Sequence, residues 1–158
     1  MTTVRFAAEA DVPLILDFIR ALAAYERLGD DVVASEAGLR RTLFGPRAYA
    51  EVLLAEQAGA SVGFALFFHN YSTFLGKPGI YLEDLFVRPP YRGAGVGRVL
   101  LKRLAEIALE RDCGRLEWWV LDWNAQAIGF YQALGAQAMD DWTVYRLSGK
   151  ALEDLARV

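Results

Sequence analysis

The chain contains an apolar run, Ile80-Tyr-Leu-Glu-Asp-Leu-Phe-Val87, followed after four residues by a glycine-rich turn, Arg92-Gly-Ala-Gly-Val-Gly97. This order predicts a strand over residues 80–87, a turn, and a helix over residues 97–111. Alternating glycines let the backbone approach a ligand closely, and their amides lie at the positive end of the helix. Positive side chains surround the same turn: Arg92, Arg98, Lys102 and Arg103. We therefore expect a ligand with several phosphates; the alternative is a solvated basic helix face.

Two other phosphate-binding classes fit this spacing less well. A P-loop ends in Gly-Lys-Ser/Thr, whereas Gly97 is followed by Arg98 and Val99. In a dinucleotide-binding unit the strand enters the glycines directly, whereas Arg88-Pro-Pro-Tyr91 intervenes here. Glu117 lies 20 residues beyond Gly97, but at the start of the next apolar run, whereas a ribose-binding carboxylate belongs at the end of a strand.

The remaining pattern, Arg92-x-x-Gly95-x-Gly97, resembles the acetyl-CoA pyrophosphate loop of the GNAT acetyltransferases. The likeness continues in three later segments: Asp122-Trp-Asn124, Gly129-Phe-Tyr131 and Leu134-Gly-Ala136. Within the superfamily the chain is most similar to the diamine (spermidine/spermine) acetyltransferases, at Tyr25-Glu26, Leu82-Glu-Asp84 and Trp123-Asn124. It departs from that group at Gln132-Ala-Leu134, where relatives commonly have basic residues that help to hold CoA, and in a shorter interval over residues 135–142.

Size and composition predict one compact catalytic domain over residues 1–158. Hydrophobic residues make up 54% of the chain and charged residues 23%, which allows a substantial core. No apolar run approaches the roughly 20 residues of a membrane span, and the N-terminus lacks a signal-peptide core. We therefore expect a cytoplasmic protein that does not bind membranes.

Charge and rare residues exclude several other classes. Cys113 is the only cysteine, so no internal disulfide is possible, and with His69 as the only histidine a metal cluster is not expected. The formal net charge of −3 argues against a nucleic-acid-binding surface and is compatible with a cationic substrate.

The N-terminal half predicts two helices and then a sheet. Asp11 is a candidate cap for a helix over residues 12–28 that stops at Gly29, and Ser35 for a short helix that ends before Gly45. Three strands are expected, with a hairpin turn between the second and the third: residues 3–8, 51–57 and 61–68. A turn-rich loop over residues 71–79 then leads to strand 80–87, which would be the central strand.

The C-terminal half predicts a parallel crossover and a further helix. The helix over residues 97–111 should connect strand 80–87 to a parallel strand over residues 115–122, with the ligand crevice at their carboxyl ends. Asn124 is a candidate cap for a helix over residues 125–134. Strands near 137–139 and 143–147 and a helix over 150–156 complete an α/β fold: a single-domain, GNAT-like mixed central β-sheet flanked by helices.

Acetyl transfer to an amine requires a base and an acid. An alkyl ammonium has a pKa of about 10, so a carboxylate must accept its proton before or during attack. Glu83 is the best candidate, because strand alternation places it opposite Leu82 and Asp84 in an otherwise apolar strand; Asp84 is the alternative base. A phenol can protonate the departing sulfur, and the resemblance implies that Tyr131 does so, although packing alone would also explain a tyrosine there.

The resemblance also implies which residues bind each substrate. Acetyl-CoA is expected to contact the end of the strand, the glycine loop and the following helix: Leu85, Phe86, Val87, Arg92, Gly93, Ala94, Gly95, Val96, Gly97, Arg98, Asn124 and Ala127. The acceptor amine is expected to contact carboxylates and aromatic rings: Tyr25, Glu26, Glu83, Glu117, Trp118, Trp119, Asp140 and Asp141. Trp118, Trp119 and Trp123 are otherwise sheet-core candidates.

Three functions fit the sequence. The first is an acetyl-CoA-dependent N-acetyltransferase that acts on the primary amine of a diamine, polyamine or amine-bearing amino acid. The second is a protein N-terminal or lysine acetyltransferase, and the third a non-catalytic acetyl-CoA-binding or dinucleotide-binding module, which would not need both an acid and a base. The resemblance further implies a homodimer, with strand 143–147 as an edge for pairing between subunits.

Overall fold

A computed structural model describes residues 1–158. Five strands are present: β1 (Thr3–Phe6), β2 (Glu51–Gln57), β3 (Ala60–Ser72), β4 (Lys77–Val87) and β5 (Leu116–Trp118). The α-helices are α1 (Val12–Tyr25), α2 (Glu36–Phe44), α3 (Val96–Glu110), α4 (Ala125–Ala133) and α5 (Gly149–Leu155). The chain divides into two compact units, Met1–Leu121 and Asp122–Val158, and each is described by itself.

The first unit contains a mixed sheet in the order β1-β2-β3-β4-β5. Neighbouring strands are antiparallel except β4 and β5, which are parallel and are connected by α3. The α/β fold and the parallel crossover are thus confirmed. The prediction that β4 is central was wrong, because it lies fourth of five. The predicted loop over residues 71–79 was also wrong, since β3 and β4 form one long hairpin with a turn at Gly76 (φ +65°).

Helices cover both faces of this sheet. On one face α1 contributes Ile15, Phe18 and Leu22 to a buried cluster with Phe64 and Phe86, and the Phe18 and Phe64 rings stack 5.1 Å apart. On the other face the first turns of α3 approach β3 closely: a Cβ built on Gly63 would lie 3.4 Å from both Val96 and Leu100. Each fully buried apolar side chain stabilises the fold by about 1.5–3 kcal/mol, so both helices are fixed by packing.

A β-bulge interrupts β4 at Glu83. The register pairs Leu82 with Phe67 and Asp84 with Leu66, which leaves Glu83 without a partner on β3. The extra residue breaks the alternation of the strand, so Glu83 and Asp84 both lie on the face covered by α1. The predicted arrangement, with Leu82 and Asp84 on one face and Glu83 on the other, was therefore wrong.

Helix α1 ends three residues earlier than predicted. Arg27 takes a left-handed conformation (φ +64°), and the amides of Arg27 and Leu28 bond to the carbonyls of Ala24 and Ala23. These two bonds form a Schellman motif, which usually has glycine at the left-handed position. The arginine there explains why Gly29 was mistaken for the stop.

One predicted helix cap was wrong and two were confirmed. The Asp11 carboxylate accepts from the Ala8 amide at 2.7 Å and pairs with Arg5, and it makes no cap bond to α1. Ser35 Oγ accepts from the Gly38 amide, and Asn124 Oδ1 from the Ala127 amide.

In the second unit, α4 ends before Gly135 (φ +87°) and α5 closes the chain. The strands predicted near 137–139 and 143–147 are absent, and the apolar side chains of Val144 and Tyr145 are exposed. A strand needs a neighbour for its backbone groups, which hydrophobic alternation alone does not provide.

The tryptophans expected in the sheet core are more accessible than predicted: Trp119 and Trp123 are exposed and Trp118 is half-buried. None of the helices is both long and apolar enough to span a membrane.

Candidate active site

Three carboxylates act on one another where β4 bulges beneath the end of α1. Glu26 follows the last residue of α1, and Glu83 and Asp84 occupy the bulge. We call Glu26, Glu83 and Asp84 the carboxylate cluster. The bulge creates it, because an unbroken strand would have placed its two consecutive acids on opposite faces.

Electrostatics within the cluster favour a proton-accepting role. Burial raises the pKa of Asp84 to about 7, with repulsion from Glu83 and then Glu26 adding to the effect. Burial also raises the pKa of Glu26, again with repulsion from Glu83. The neighbouring charges that raise the pKa values of Asp84 and Glu26 are thus all negative, and no cation contributes an opposite shift. A carboxyl group that titrates near neutral pH can take up a proton under physiological conditions.

The glycine-rich turn follows β4 and opens α3. Gly93 and Gly95 have φ angles of +78° and +82°, and Gly95 is the N-cap of α3, where it provides no capping side chain. A Cβ built on either glycine would meet no protein atom within 4 Å. The first amides of a helix have no intrahelical acceptor, so this turn offers unshielded donors beside open space. That arrangement fits the diphosphate of acetyl-CoA.

The four cations expected around the turn are not equivalent. Arg103 pairs with Glu110 at 2.7 Å, and Lys102 pairs with Glu106. Arg98 is exposed. The Arg92 guanidinium lies over two aromatic rings, and its Nε donates to the Val87 carbonyl at 2.8 Å. Two of the four charges are therefore balanced by carboxylates along α3.

Beyond the bulge, β4 has a strand partner on one side only. Leu85, Phe86 and Val87 pair with β3, whereas the parallel ladder to β5 ends at Leu82. No strand borders these three residues on the β5 side. Backbone groups at such an edge can bind the amides of an extended ligand such as a pantetheine arm.

Three residues in or directly after β5 were predicted to bind the acceptor, and they differ in their contacts. Glu117 accepts from Asn70 at 3.1 Å and from Arg115 at 2.7 Å, so its carboxylate is engaged within the sheet. Trp118 is half-buried, and Trp119 meets the Tyr81 ring edge-on at 5.7 Å. Of the predicted acceptor residues in the first unit, Glu26 and Glu83 belong to the carboxylate cluster, and Tyr25 directly precedes Glu26.

The second unit contains the remaining predicted site residues. Asn124 caps α4 through the Ala127 amide, and Tyr131 lies on the same helix, half-buried, with its ring 5.5 Å from that of Phe130. Asp140 and Asp141 are exposed.

Comparison with known proteins supports the catalytic interpretation. The acetyltransferase (GNAT) family model matches residues 23–136, most of the chain. The chain belongs to the GNAT acetyltransferase family. It is therefore an N-acetyltransferase of a family that uses acetyl-CoA as the acetyl donor, and the predicted membership is confirmed.

Individual known proteins also align along nearly the whole chain. The thialysine N-epsilon-acetyltransferase of Bos taurus is 42% identical, with 97% of this chain and 96% of that protein covered. The L-ornithine N5-acetyltransferase of Arabidopsis thaliana is 34% identical, with 98% and 88% covered. An integron cassette protein from the mobile metagenome of V. cholerae has a TM-score of 0.83 at 29% identity, with 99% and 98% covered.

Sequence reasoning missed two features of this candidate site. It did not predict the bulge that brings Asp84 beside Glu83, although adjacent acids in an apolar strand were a usable signal. It also did not predict that the Arg92 side chain lies against aromatic rings. Nothing in the local sequence indicates that contact, because one ring belongs to a helix more than 60 residues earlier.

Proposed function

We propose that this chain transfers an acetyl group from acetyl-CoA to the primary amine of a small molecule: a diamine, polyamine or amine-bearing amino acid. The observation that carries the proposal is the carboxylate cluster at the bulge of β4, close in sequence to a glycine turn that fits a diphosphate. Two relatives named for small amine-bearing substrates, thialysine and ornithine, support the same acceptor class.

The donor is held by backbone groups in this proposal. The amides of residues 93–98 bind the diphosphate, and the open edge of Leu85–Val87 binds the pantetheine arm and polarises the acetyl oxygen. Asn124 and Ala127 are further proposed donor contacts, as the resemblance implies. All the acetyl-CoA-binding residues proposed from the sequence thus keep their role except Arg92.

The proposed chemistry is direct attack on the thioester. Glu83 accepts the proton of the substrate ammonium, with Asp84 as the alternative base, and the amine nitrogen then bonds to the acetyl carbon as the carbon–sulfur bond breaks. Tyr131 gives its proton to the departing thiolate. The exposed position of Glu83 in the bulge supports its contact with an incoming amine.

The acceptor specificity follows from the charge of the cluster. A substrate with a second ammonium gives Glu26 a cation to hold while Glu83 serves the reacting nitrogen. Tyr25 contributes to the same wall. Trp118, Trp119, Glu117, Asp140 and Asp141 stay as further proposed acceptor contacts.

We also propose one acetyltransferase domain and a homodimer. The family match crosses the boundary between the two compact units, which supports a single domain. Exposed apolar side chains in the second unit, among them Trp142 and Tyr145, favour association between subunits. Light scattering should then give twice the 17.6 kDa chain mass.

The proposed function is tested by an acetyl-transfer assay with a panel of acceptors. CoA release and product mass are measured for diamines, polyamines, thialysine-like amino acids and peptides. Acetylation of the small amines with a second ammonium is expected. Activity confined to peptides would instead support a protein acetyltransferase, and no transfer to any amine would contradict the proposal.

The donor site is tested with a matched pair of glycine variants. Gly95 and Gly59 have nearly equal φ angles, +82° and +79°, and open space at Cβ, so alanine introduces similar strain at both. Calorimetry should show acetyl-CoA binding weakened about tenfold or more in Gly95→Ala, as expected when hydrogen bonds to a charged group are lost. Gly59→Ala, in the β2–β3 turn, should bind normally. Equal affinities in the two folded variants would remove the donor assignment.

A further inference from the structure

The Arg92 side chain connects the glycine turn to the end of α1. Its guanidinium carbon lies 4.7 Å from the centre of the Tyr25 ring and 5.1 Å from the centre of the Phe86 ring. Its Nε donates to the Val87 carbonyl at 2.8 Å, which anchors the guanidinium to the end of β4. The cation therefore contacts one ring on α1 and one on β4.

Both rings adjoin the carboxylate cluster. Tyr25 directly precedes Glu26, and Phe86 lies two residues beyond Asp84 on the same face of β4. A displacement of either ring would therefore move a carboxylate on the acceptor wall. Arg92 therefore contacts a residue beside Glu26 and a residue beside the bulge.

Two of the N–H donors of Arg92 already have partners within the protein. Its backbone amide donates to the Pro89 carbonyl at 3.2 Å, so both this amide and Nε are already bonded within the protein. By contrast, the turn residues Gly93 and Gly95 border open space. Those following residues are the better phosphate donors.

We propose that Arg92 is a positioning residue for the acceptor amine: its guanidinium, held against Tyr25 and Phe86, keeps Glu26 and Asp84 at the spacing that the substrate requires. This inference rests on the proposed function for its kinetic consequence, though not for its structural one. It also links the two substrate sites, because Arg92 is joined directly to Gly93 of the donor turn.

The role requires arginine. A guanidinium is planar and can lie over aromatic rings while its Nε bonds to a carbonyl. A lysine ammonium keeps the charge but cannot reproduce this combination. Arg92→Lys should therefore resemble Arg92→Ala, whereas a residue that only supplied charge to a phosphate would be largely replaced by lysine.

The first test compares the effect of Arg92 variants on use of the amine with their effect on binding of acetyl-CoA. Arg92→Ala and Arg92→Lys should lower kcat/KM for the amine about tenfold or more, as expected from the loss of two cation–ring contacts, and leave the acetyl-CoA Kd within about twofold. Arg20→Ala, which removes an exposed arginine from α1, is the matched control and should change neither value. A raised acetyl-CoA Kd, or an unchanged amine kcat/KM, in the Arg92 variants would overturn the inference.

A double-mutant cycle tests the contact itself. Tyr25→Leu removes the ring, whereas Tyr25→Phe retains it. Loss of the ring is measured as the ratio of amine kcat/KM between Tyr25→Phe and Tyr25→Leu. This ratio should be clearly larger in the wild-type background than in the Arg92→Ala background. An equal ratio in both backgrounds would contradict the proposed contact.

Hydrogen exchange gives a result that does not depend on activity. Amides at residues 26–28 should exchange faster in Arg92→Ala than in wild type, because the end of α1 loses its contact, and Arg20→Ala should match wild type. Unchanged exchange would overturn the inference even if the enzyme is active. Conversely, a wild-type protein that acetylates no amine would refute the proposed function while this measurement still decided the role of Arg92.

Discussion

Two carboxylates of the same sheet, Glu51 on β2 and Asp84 on β4, have opposite electrostatic environments. Glu51 accepts two hydrogen bonds from Arg111, at 2.6 and 2.9 Å, and these bonds lower its pKa despite partial burial. Asp84 is buried beside Glu83 and Glu26, and its pKa is raised to about 7. Burial raises the pKa of both groups. The net direction of the shift therefore depends on whether a cation lies beside the carboxylate.

From this difference we infer that Glu51 is a structural acid and Asp84 a functional one. The Glu51–Arg111 pair connects β2 to the residue that follows α3, and its charges satisfy each other. The carboxylate cluster contains like charges that destabilise one another until a cation arrives. An ammonium substrate would provide that cation, which is why we propose the cluster, and not the ion pair, as the acceptor site.

The largest expected difference between the carboxylate cluster and the Glu51–Arg111 pair is in the effect of substitutions on turnover. Glu83→Gln and Tyr131→Phe should each lower kcat roughly 10²–10⁴-fold, the usual effect of losing a positioned proton-transfer group. Acetyl-CoA binding should largely persist in both. Glu51→Gln, as the control, should keep kcat close to wild type in the folded protein. Wild-type turnover in both Glu83→Gln and Tyr131→Phe would eliminate the proposed base and acid.

Stability should change in opposite directions at the two sites. The folded-state pKa of Asp84, about 7, exceeds the ordinary value of 3.8, so stability falls as pH rises through this interval. Asp84→Asn should therefore stabilise the protein at pH 8, by about 1–3 kcal/mol after allowance for solvent screening, and much less at pH 4. The comparison requires the free energy of unfolding from urea denaturation at both pH values.

In the same experiment, Glu51→Gln should change the free energy of unfolding at pH 8 in the opposite direction to Asp84→Asn. Because the pKa of Glu51 is lowered in the fold, its contribution is present above the ordinary value of 4.5 and is lost as pH falls below it. The variant should be destabilised at pH 8 by about 1 kcal/mol, typical of a partly exposed pair. Destabilisation of both variants at pH 8 would show that the two environments are not opposed.

A smaller effect is expected at Glu26, where loss of the carboxylate should distinguish diamine from monoamine acceptors. Glu26→Gln should reduce kcat/KM for a diamine about fivefold more than for a matched monoamine, because only the diamine has a second ammonium for this carboxylate to hold. Paired kinetics on acceptors of equal chain length measure the ratio. Equal losses for both acceptors would remove Glu26 from the recognition of the second charge.

Sequence patterns predicted the elements that are fixed by local chemistry. The hairpin at Gly59, the Ser35 and Asn124 caps and the helix after the glycine turn all depend on residues close in the chain, and all are present. The strand predicted over 143–147 failed because pairing depends on a neighbour that local sequence does not specify.

The site was only partly predictable for the same reason. Glu83 and Tyr131 could be proposed from residue chemistry and family likeness. The environment of Asp84 could not, because it arises from a one-residue register shift between β3 and β4 and from a helix end more than 50 residues away. The ring contacts of Arg92 likewise depend on tertiary packing.

The most direct test of the account is a titration of the Asp84 and Glu51 carboxyl carbons by NMR in the ligand-free protein. Asp84 should titrate with a pKa of about 7, and Glu51 should titrate below its ordinary value of 4.5. Glu83→Gln should lower the Asp84 value by removing a neighbouring charge. An Asp84 pKa close to the ordinary 3.8 would contradict the burial and charge repulsion that define the carboxylate cluster.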